Sequence, residues 1–244
     1  MRYRAGVEGQ KWEWIAFNNW LYNNDHISLG QYGSRKVFFE QVTWRVNDFF
    51  SDQLELSDLG YNKVKITQLK NIYCGDYSLL EESRQVLLKE LNKGVGHISV
   101  SFSLMPGGKG AIMGGRLKSY CMNTIILTTC KYYTRMSIYY RTTEATKKFG
   151  GDLIFLSELI PTLIPAEIIE KVEYVDFIFN TIYVSSIFFP IMYVYGVREA
   201  RPDNFSRICW RNIERADDLG VVAKYSQTKR SYDFYRGWKY GETK

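Results

Sequence analysis

Histidine is nearly absent from this chain. There are two in 244 residues, beside four cysteines (Cys74, Cys121, Cys130 and Cys209) that stand far apart with no CxxC pair. A structural zinc site draws four ligands from short, paired spacings, so this composition argues against one. Four scattered thiols in a chain of this size also argue against a disulfide scaffold, and reduced thiols in a cytoplasm are the expectation. Proline is scarce too, and no Pro/Ser/Gly-rich tract divides the sequence, so one domain over residues 1–244 is expected. No internal repeat appears at a solenoid period. The opening stretch MRYRAGVEGQKWEWIAF carries basic residues but no apolar run of signal-peptide length, which argues against secretion.

What the chain has is apolar and aromatic material. Hydrophobic residues make up 45%, enough to bury one sizeable core. The net charge of +6 favours anionic ligands such as nucleotides, nucleic acid or an acidic partner, although a solvated basic surface accounts for it equally. Residues 174–195 are long enough to span a bilayer. Asp176, Asn180, Ser185, Ser186 and Pro190 interrupt them, and their aromatic and β-branched residues suit buried strands, so no membrane span is expected.

Periodicity outlines an α+β chain. Trp14, Phe17, Trp20 and Leu21 recur at helical spacing before the turn residues Asn23, Asn24 and Asp25. Residues 36–46 are strand-like, with Phe38, Val42, Trp44 and Val46 able to share one face if a bend intervenes. Residues 51–70 are polar and indistinct, and 61–69 read as a further strand. The clearest helix covers 78–93, with Leu80, Leu87, Leu88 and Leu91 near one face and Gly94 at its stop. A half-buried strand follows over 97–104, where Ile98, Val100, Phe102 and Leu104 alternate with polar residues. The glycine-rich stretch 105–116 lacks the Walker spacing, since Ala111 follows Gly110, and reads as a mobile surface loop. Residues 121–140 favour two strands joined near 131–133. Residues 149–152 (FGGD) read as a turn, and 155–171 as helical pieces broken at Pro161 and Pro165. This order argues for α+β and against a doubly wound sheet.

Cys121 is the nucleophile to consider. It precedes a strong strand, and Arg141 lies twenty positions later, at the far end of the paired strands. In a hairpin those two ends are neighbours, so a thiol would face a guanidinium. Such a pair lowers a thiol's pKa and forms an anion clamp. Thr142, Thr143 and Glu144 follow, and then Asp152, so that a cysteine, an arginine and an aspartate could converge on one ligand. Each has a plainer reading: an inert buried cysteine, a surface ion-pair partner, and a turn residue beside Gly151.

The stretch CMNTIILTTCKYYTRMSIYYRTTEATKKFGGDL resembles the active-site region of thymidylate synthases and deoxypyrimidine hydroxymethyltransferases. In that family a nucleophilic cysteine is followed at the same interval by the arginine of an R-S-x-D motif. Cys121 and Arg141 match those positions, with Thr142 and Glu144 as conservative replacements. Asp152 stands where the synthases read the pyrimidine edge with asparagine. IYCGDY (72–77) is similar to the family's Y-G-x-x-W segment. YVDFIFNTIY resembles the strand ending in H-x-Y, which places Tyr183 at the sugar-contacting tyrosine. The likeness covers roughly residues 72–185. It departs from the family at Gly96 and His97, where paired arginines are expected, at Thr181 for the histidine, and at Tyr120 for the proline before the nucleophile. The family's N-terminal glutamate helix has no evident counterpart.

The resemblance implies a thymidylate-synthase-like mixed sheet with packed helices, a homodimer joined sheet to sheet, and a folate-dependent C5 methyl- or hydroxymethyltransferase. Cys121 would be catalytic, and Arg141, Thr142, Glu144, Asp152 and Tyr183 would bind the substrate. Methylenetetrahydrofolate would be the reduced-folate cofactor. An aspartate at 152 favours dCMP over dUMP as the pyrimidine nucleotide. The alternative is a catalytically degenerate member that binds a nucleotide, a nucleic acid or a protein. The segment 207–244 interleaves Arg and Lys with Trp and Tyr, a mixture suited to single-stranded nucleic acid or to packing its aromatics on the domain.

Overall fold

The structure, a computed structural model, describes residues 2–4, 7, 9–23, 36–59, 64–75, 77–104, 112–113, 116–117 and 121–194. Most of the glycine-rich stretch, Cys209 and the basic aromatic segment 207–244 lie outside these residues.

Strands β1 (Arg2–Arg4), β2 (Lys36–Asn47), β3 (His97–Ser103), β6 (Met122–Cys130), β7 (Thr134–Glu144) and β8 (Val172–Ser185) form one mixed sheet in the order β1-β2-β8-β7-β6-β3. A separate two-residue pair joins β4 (Ile112–Met113) to β5 (Arg116–Leu117). Helices α1 (Gln10–Asn23), α2 (Val64–Tyr73), α3 (Tyr77–Asn92), α4 (Lys147–Leu163), α5 (Ala166–Ile169) and α6 (Phe189–Val194) complete the α+β architecture. β6 and β7 are antiparallel, joined by residues 131–133, as their composition predicts. β7 and β8 are parallel, and a parallel pair needs a crossover, which α4 supplies.

α4 is buried almost all round, from Lys147 and Phe149 to Leu163. A helix apolar on every side belongs inside the protein, and α4 touches β7, α2, α3 and the short 3₁₀ turn Leu56–Leu59. The aromatic core beneath it centres on Trp44. That ring stacks on Phe17 at 4.7 Å and meets Phe149 edge-on at 5.5 Å. α1 is pinned by polar contacts made inside this core. Trp14 Nε1 donates to the Ala145 carbonyl at 3.2 Å, Thr146 Oγ1 donates to Asn18 Oδ1 at 3.0 Å, and Tyr22 Oη donates to the Ser185 carbonyl at 3.1 Å.

The sheet changes face within itself. In β2 the buried residues are Val37 and Phe39, then Val42, Trp44 and Val46. In β8 they are Val175, Phe177 and Phe179, then Ile182 and Val184. In β7 they are Thr134, Met136, Ile138 and Tyr140, then Thr143 and Glu144. The alternation breaks at Gln41, Asn180 and Arg141, which the register places in one row across three neighbouring strands. Gln41 has φ 50°, the left-handed region that a non-glycine residue enters at a cost.

Three expectations change. The bend in residues 36–46 exists, but Val37 and Phe39 are buried before it, while Phe38 is half-buried. Of the segment 61–69 read as a strand, residues 64–69 are helical, and 61–63 lie outside the described residues. From residue 64 the chain is α2, whose buried Ile66, Leu69 and Tyr73 recur at helical spacing. Residues 149–152 are not a turn but the first turns of α4, which runs on through Pro161. A glycine fits there because a Cβ at Gly150 would lie 2.9 Å from Leu59 Cδ1. Among the described residues no helix is long and apolar enough to cross a membrane.

Gln10 tests how the helices are tied together. It is fully buried, donates to Ser157 Oγ at 2.7 Å and accepts the Leu54 N–H at 3.0 Å. Gln10→Met keeps the volume and leaves the buried Leu54 N–H without its acceptor, so the urea midpoint should fall by the equivalent of about 1–3 kcal/mol. An unchanged midpoint would remove Gln10 from this role.

Candidate functional site

Hairpin geometry brings Cys121 to Arg141. Cys121 immediately precedes β6, Met122 is level with Tyr140, and the Arg141 N–H donates to the Cys121 carbonyl at 2.7 Å. A register shift between Met122 and Thr124 marks a bulge at this corner. It lies beside the row where β7, β8 and β2 change face. Bulges re-aim side chains and cluster at functional sites.

Asp152 arrives from α4. It is buried and accepts a hydrogen bond from Tyr73 Oη on α2 at 3.4 Å, longer than a well-formed O–H···O bond. Burial pushes its carboxyl from the ordinary 3.8 up to about 7, against the opposing pull of Lys65 and Lys148. The Cys121 thiol is half-buried, and its pKa is raised first by burial and then by Asp152. Lys148 and Arg141 act in the opposite direction. Lys148, in the first turn of α4, lies one helical turn before Asp152 and so on the same face.

Tyr140 completes the cluster. Its ring is held edge-on to Phe149 at 5.4 Å and against Phe179 at 5.2 Å. Its buried hydroxyl has no hydrogen-bond partner among the described residues. A stranded hydroxyl of this kind costs about 1–3 kcal/mol. Its ionisation is suppressed by burial, then by Asp152, Tyr73 and Cys121, so its polar end belongs to this cluster.

Tyr183 on β8 is half-buried and level with Glu144 on β7. Its phenol is pushed up to about 12 by burial, then by Glu144 and Cys121. Phe38 lies at 5.1 Å from its ring and Lys36 Nζ at 4.9 Å.

Glu144 has another task than the expected one. The Thr146 side chain does not cap α4. Instead the Glu144 carboxylate accepts the N–H groups of Thr146, Lys147 and Lys148 at 2.9, 2.8 and 3.1 Å. It is fully buried, so its pKa is raised by desolvation while those three N–H groups pull it down. These bonds satisfy donors that open every helix, and they leave Glu144 as a structural cap with no surface for a ligand. Thr142 is half-buried and level with Thr181, and its hydroxyl enters no hydrogen bond among the described residues.

The structure therefore brings Cys121 to Arg141 and Tyr73 to Asp152, commits Glu144 to the helix cap, and leaves Asp152, Tyr183, Tyr140, Lys65 and Lys148 linked to this cluster electrostatically. Tyr140 is Arg141's neighbour in the chain. Lys148 becomes legible once 149–152 is read as helix, since it then shares a face with Asp152. Among the described residues no three His, Cys, Asp or Glu side chains gather in a metal-binding group. Compared with known families and with curated proteins, the chain matches no family model and no curated sequence.

Two measurements check this geometry. Alkylation of Cys121 by iodoacetamide, followed against pH by mass spectrometry, should show opposite shifts. Lys148→Gln and Arg141→Gln raise the apparent thiol pKa, while Asp152→Asn lowers it. An upward shift in Asp152→Asn would contradict the arrangement. The second is stability. Asp152 binds its proton more tightly folded than unfolded, so its contribution is complete below about pH 4 and lost as pH rises through about 7. Denaturant midpoints of wild type and Asp152→Asn should therefore diverge over that window, the variant gaining by a few kcal/mol at most. Parallel profiles would show that Asp152 ionises freely.

Proposed function

We propose that the chain is a divergent thymidylate-synthase-like protein that binds a pyrimidine nucleotide between Cys121, Arg141 and Asp152. One observation carries the reading: the Arg141 N–H···O=C bond to Cys121, at the spacing that the resemblance marks; the Asp152 carboxyl acts electrostatically on the same thiol. Arg141 offers a fork-shaped cation to the nucleotide phosphate. Asp152 takes the polar edge of the base. A carboxyl accepts from the amino group of cytosine, which favours dCMP over dUMP. Tyr183 is assigned to the sugar.

The reaction proposed is C5 methyl or hydroxymethyl transfer. The Cys121 thiolate adds to C6 of the base and makes C5 nucleophilic. After C5 has taken up a one-carbon unit at the formaldehyde level and lost its proton, the thiolate leaves C6. Water added to the carbon on C5 gives hydroxymethyl, whereas methyl needs a hydride that a reduced folate would also supply. Arg141 and Lys148 stabilise the thiolate before attack. A reduced folate would supply the one-carbon unit. The described side chains at the site are not specific to a folate. The homodimer and the cytoplasmic setting belong to the same proposal.

A second reading has its own support. Burial and then Asp152 raise the pKa of the Cys121 thiol, which favours a member that binds the nucleotide without turning it over. The two readings share the binding step and part at Cys121→Ala, which ends turnover in the first and leaves function intact in the second.

Calorimetry with dCMP, dUMP and CMP tests the shared step. Wild type should bind one of them, and Arg141→Ala should weaken that binding at least about tenfold through loss of the charged contact. Binding of none of the three by wild type would sink the reading.

A further inference from the structure

We infer that the Tyr140 hydroxyl is a second group that reads the ligand, hydrogen-bonding the edge of a planar base beside the part taken by Asp152. This rests on the nucleotide reading above and adds a residue that the family resemblance does not mark.

The argument starts from packing. Phe149 and Phe179 clamp the Tyr140 ring from different angles, and Phe177 lies at 6.4 Å. A phenylalanine would fill that space equally well, so the aromatic core gives no reason for an oxygen there. The hydroxyl is nonetheless buried, and among the described residues it has no hydrogen-bond partner. Buried polar groups in folded proteins are almost always satisfied, and one that is not points to a missing partner. The neighbours of Tyr140 tie it to the candidate site: the ring meets Phe149, three residues before Asp152 on α4, and its strand partner is Met122, next to Cys121, while Asp152, Tyr73 and Cys121 are the groups that act against its ionisation. Lys65 and Lys148 act on the Asp152 end of the cluster.

The chemistry indicates what the partner looks like. A phenol donates one hydrogen bond and accepts others. Among the described residues the one hydrogen bond to Asp152 is the long one from Tyr73, so its carboxyl has capacity for a stronger one. A hydroxyl and a carboxyl offered by one cluster match a flat edge that carries a donor and an acceptor. Pyrimidine bases present such edges. A sugar phosphate does not.

Calorimetry with dCMP and with deoxyribose 5-phosphate, on wild type and Tyr140→Phe, separates base reading from phosphate binding. Tyr140→Phe should bind dCMP about tenfold more weakly and the sugar phosphate equally well, as expected for loss of one buried hydrogen bond to a ligand. Its thermal midpoint should equal or exceed that of wild type, because no protein partner loses a bond. Unchanged dCMP affinity, equal loss for both ligands, or a midpoint lowered by several degrees would each overturn the inference. If dCMP binding depends on Arg141 but ignores Tyr140→Phe, this inference fails alone. If wild type binds neither dCMP nor dUMP, the nucleotide reading fails and takes this inference with it.

Discussion

Three backbone N–H groups at the start of α4 end on the carboxylate of Glu144, a side chain with no exposed surface. The last residue of β7 thus fixes where the crossover helix begins, and α1 secures the same corner from the other side through Trp14 and Asn18. Helix phase follows from helix origin. Moving the start of α4 by one residue would turn Asp152 roughly 100° away from Cys121 and Lys148 with it. Each contact at the candidate site passes through this corner, because α4 carries one part of the site and β7 the other.

The cluster that results is electrostatically frustrated. Burial suppresses ionisation of Asp152, Cys121, Tyr73 and Tyr140 together, and the carboxylate and thiolate forms oppose each other. Lys148 and Arg141 relieve the thiol only in part. An anionic ligand would share the field of Arg141, leaving Lys148 as the cation still available to the thiol. A site of this kind is sensitive to what fills it, since each bound charge or hydrogen bond moves several neighbours at once.

The readable parts of the sequence were those set by local periodicity. α3 and β3 follow from the spacing of Leu80 and Leu87 and from the alternation of Ile98, Val100 and Phe102. The meeting of Cys121 with Arg141 follows from strand composition and a short connection, because antiparallel pairing is arithmetic once the turn is placed. What was hidden depends on distant contacts. Gly150 and Gly151 resemble a turn until Leu54 and Leu59 are seen pressing on the helix where a larger side chain would stand. Glu144 looks like a surface acid beside a motif, and only the fold shows three amides arriving at it. α2 reads locally as a strand because Val64 and Ile66 alternate with Lys65 and Thr67, whereas its buried Ile66, Leu69 and Tyr73 fall three and four residues apart.

The row of Gln41, Asn180 and Arg141 has a consequence for how such a chain can diverge. Each strand is written in two halves with opposite parity, and the seam falls at the same level in all three. Point changes can accumulate on either side of it. A single inserted or deleted residue inside one strand would instead set greasy positions against water over half its length, while its two neighbours stayed in phase. The three strands are therefore locked in length as a group, and gains or losses of chain are confined to the connections between them.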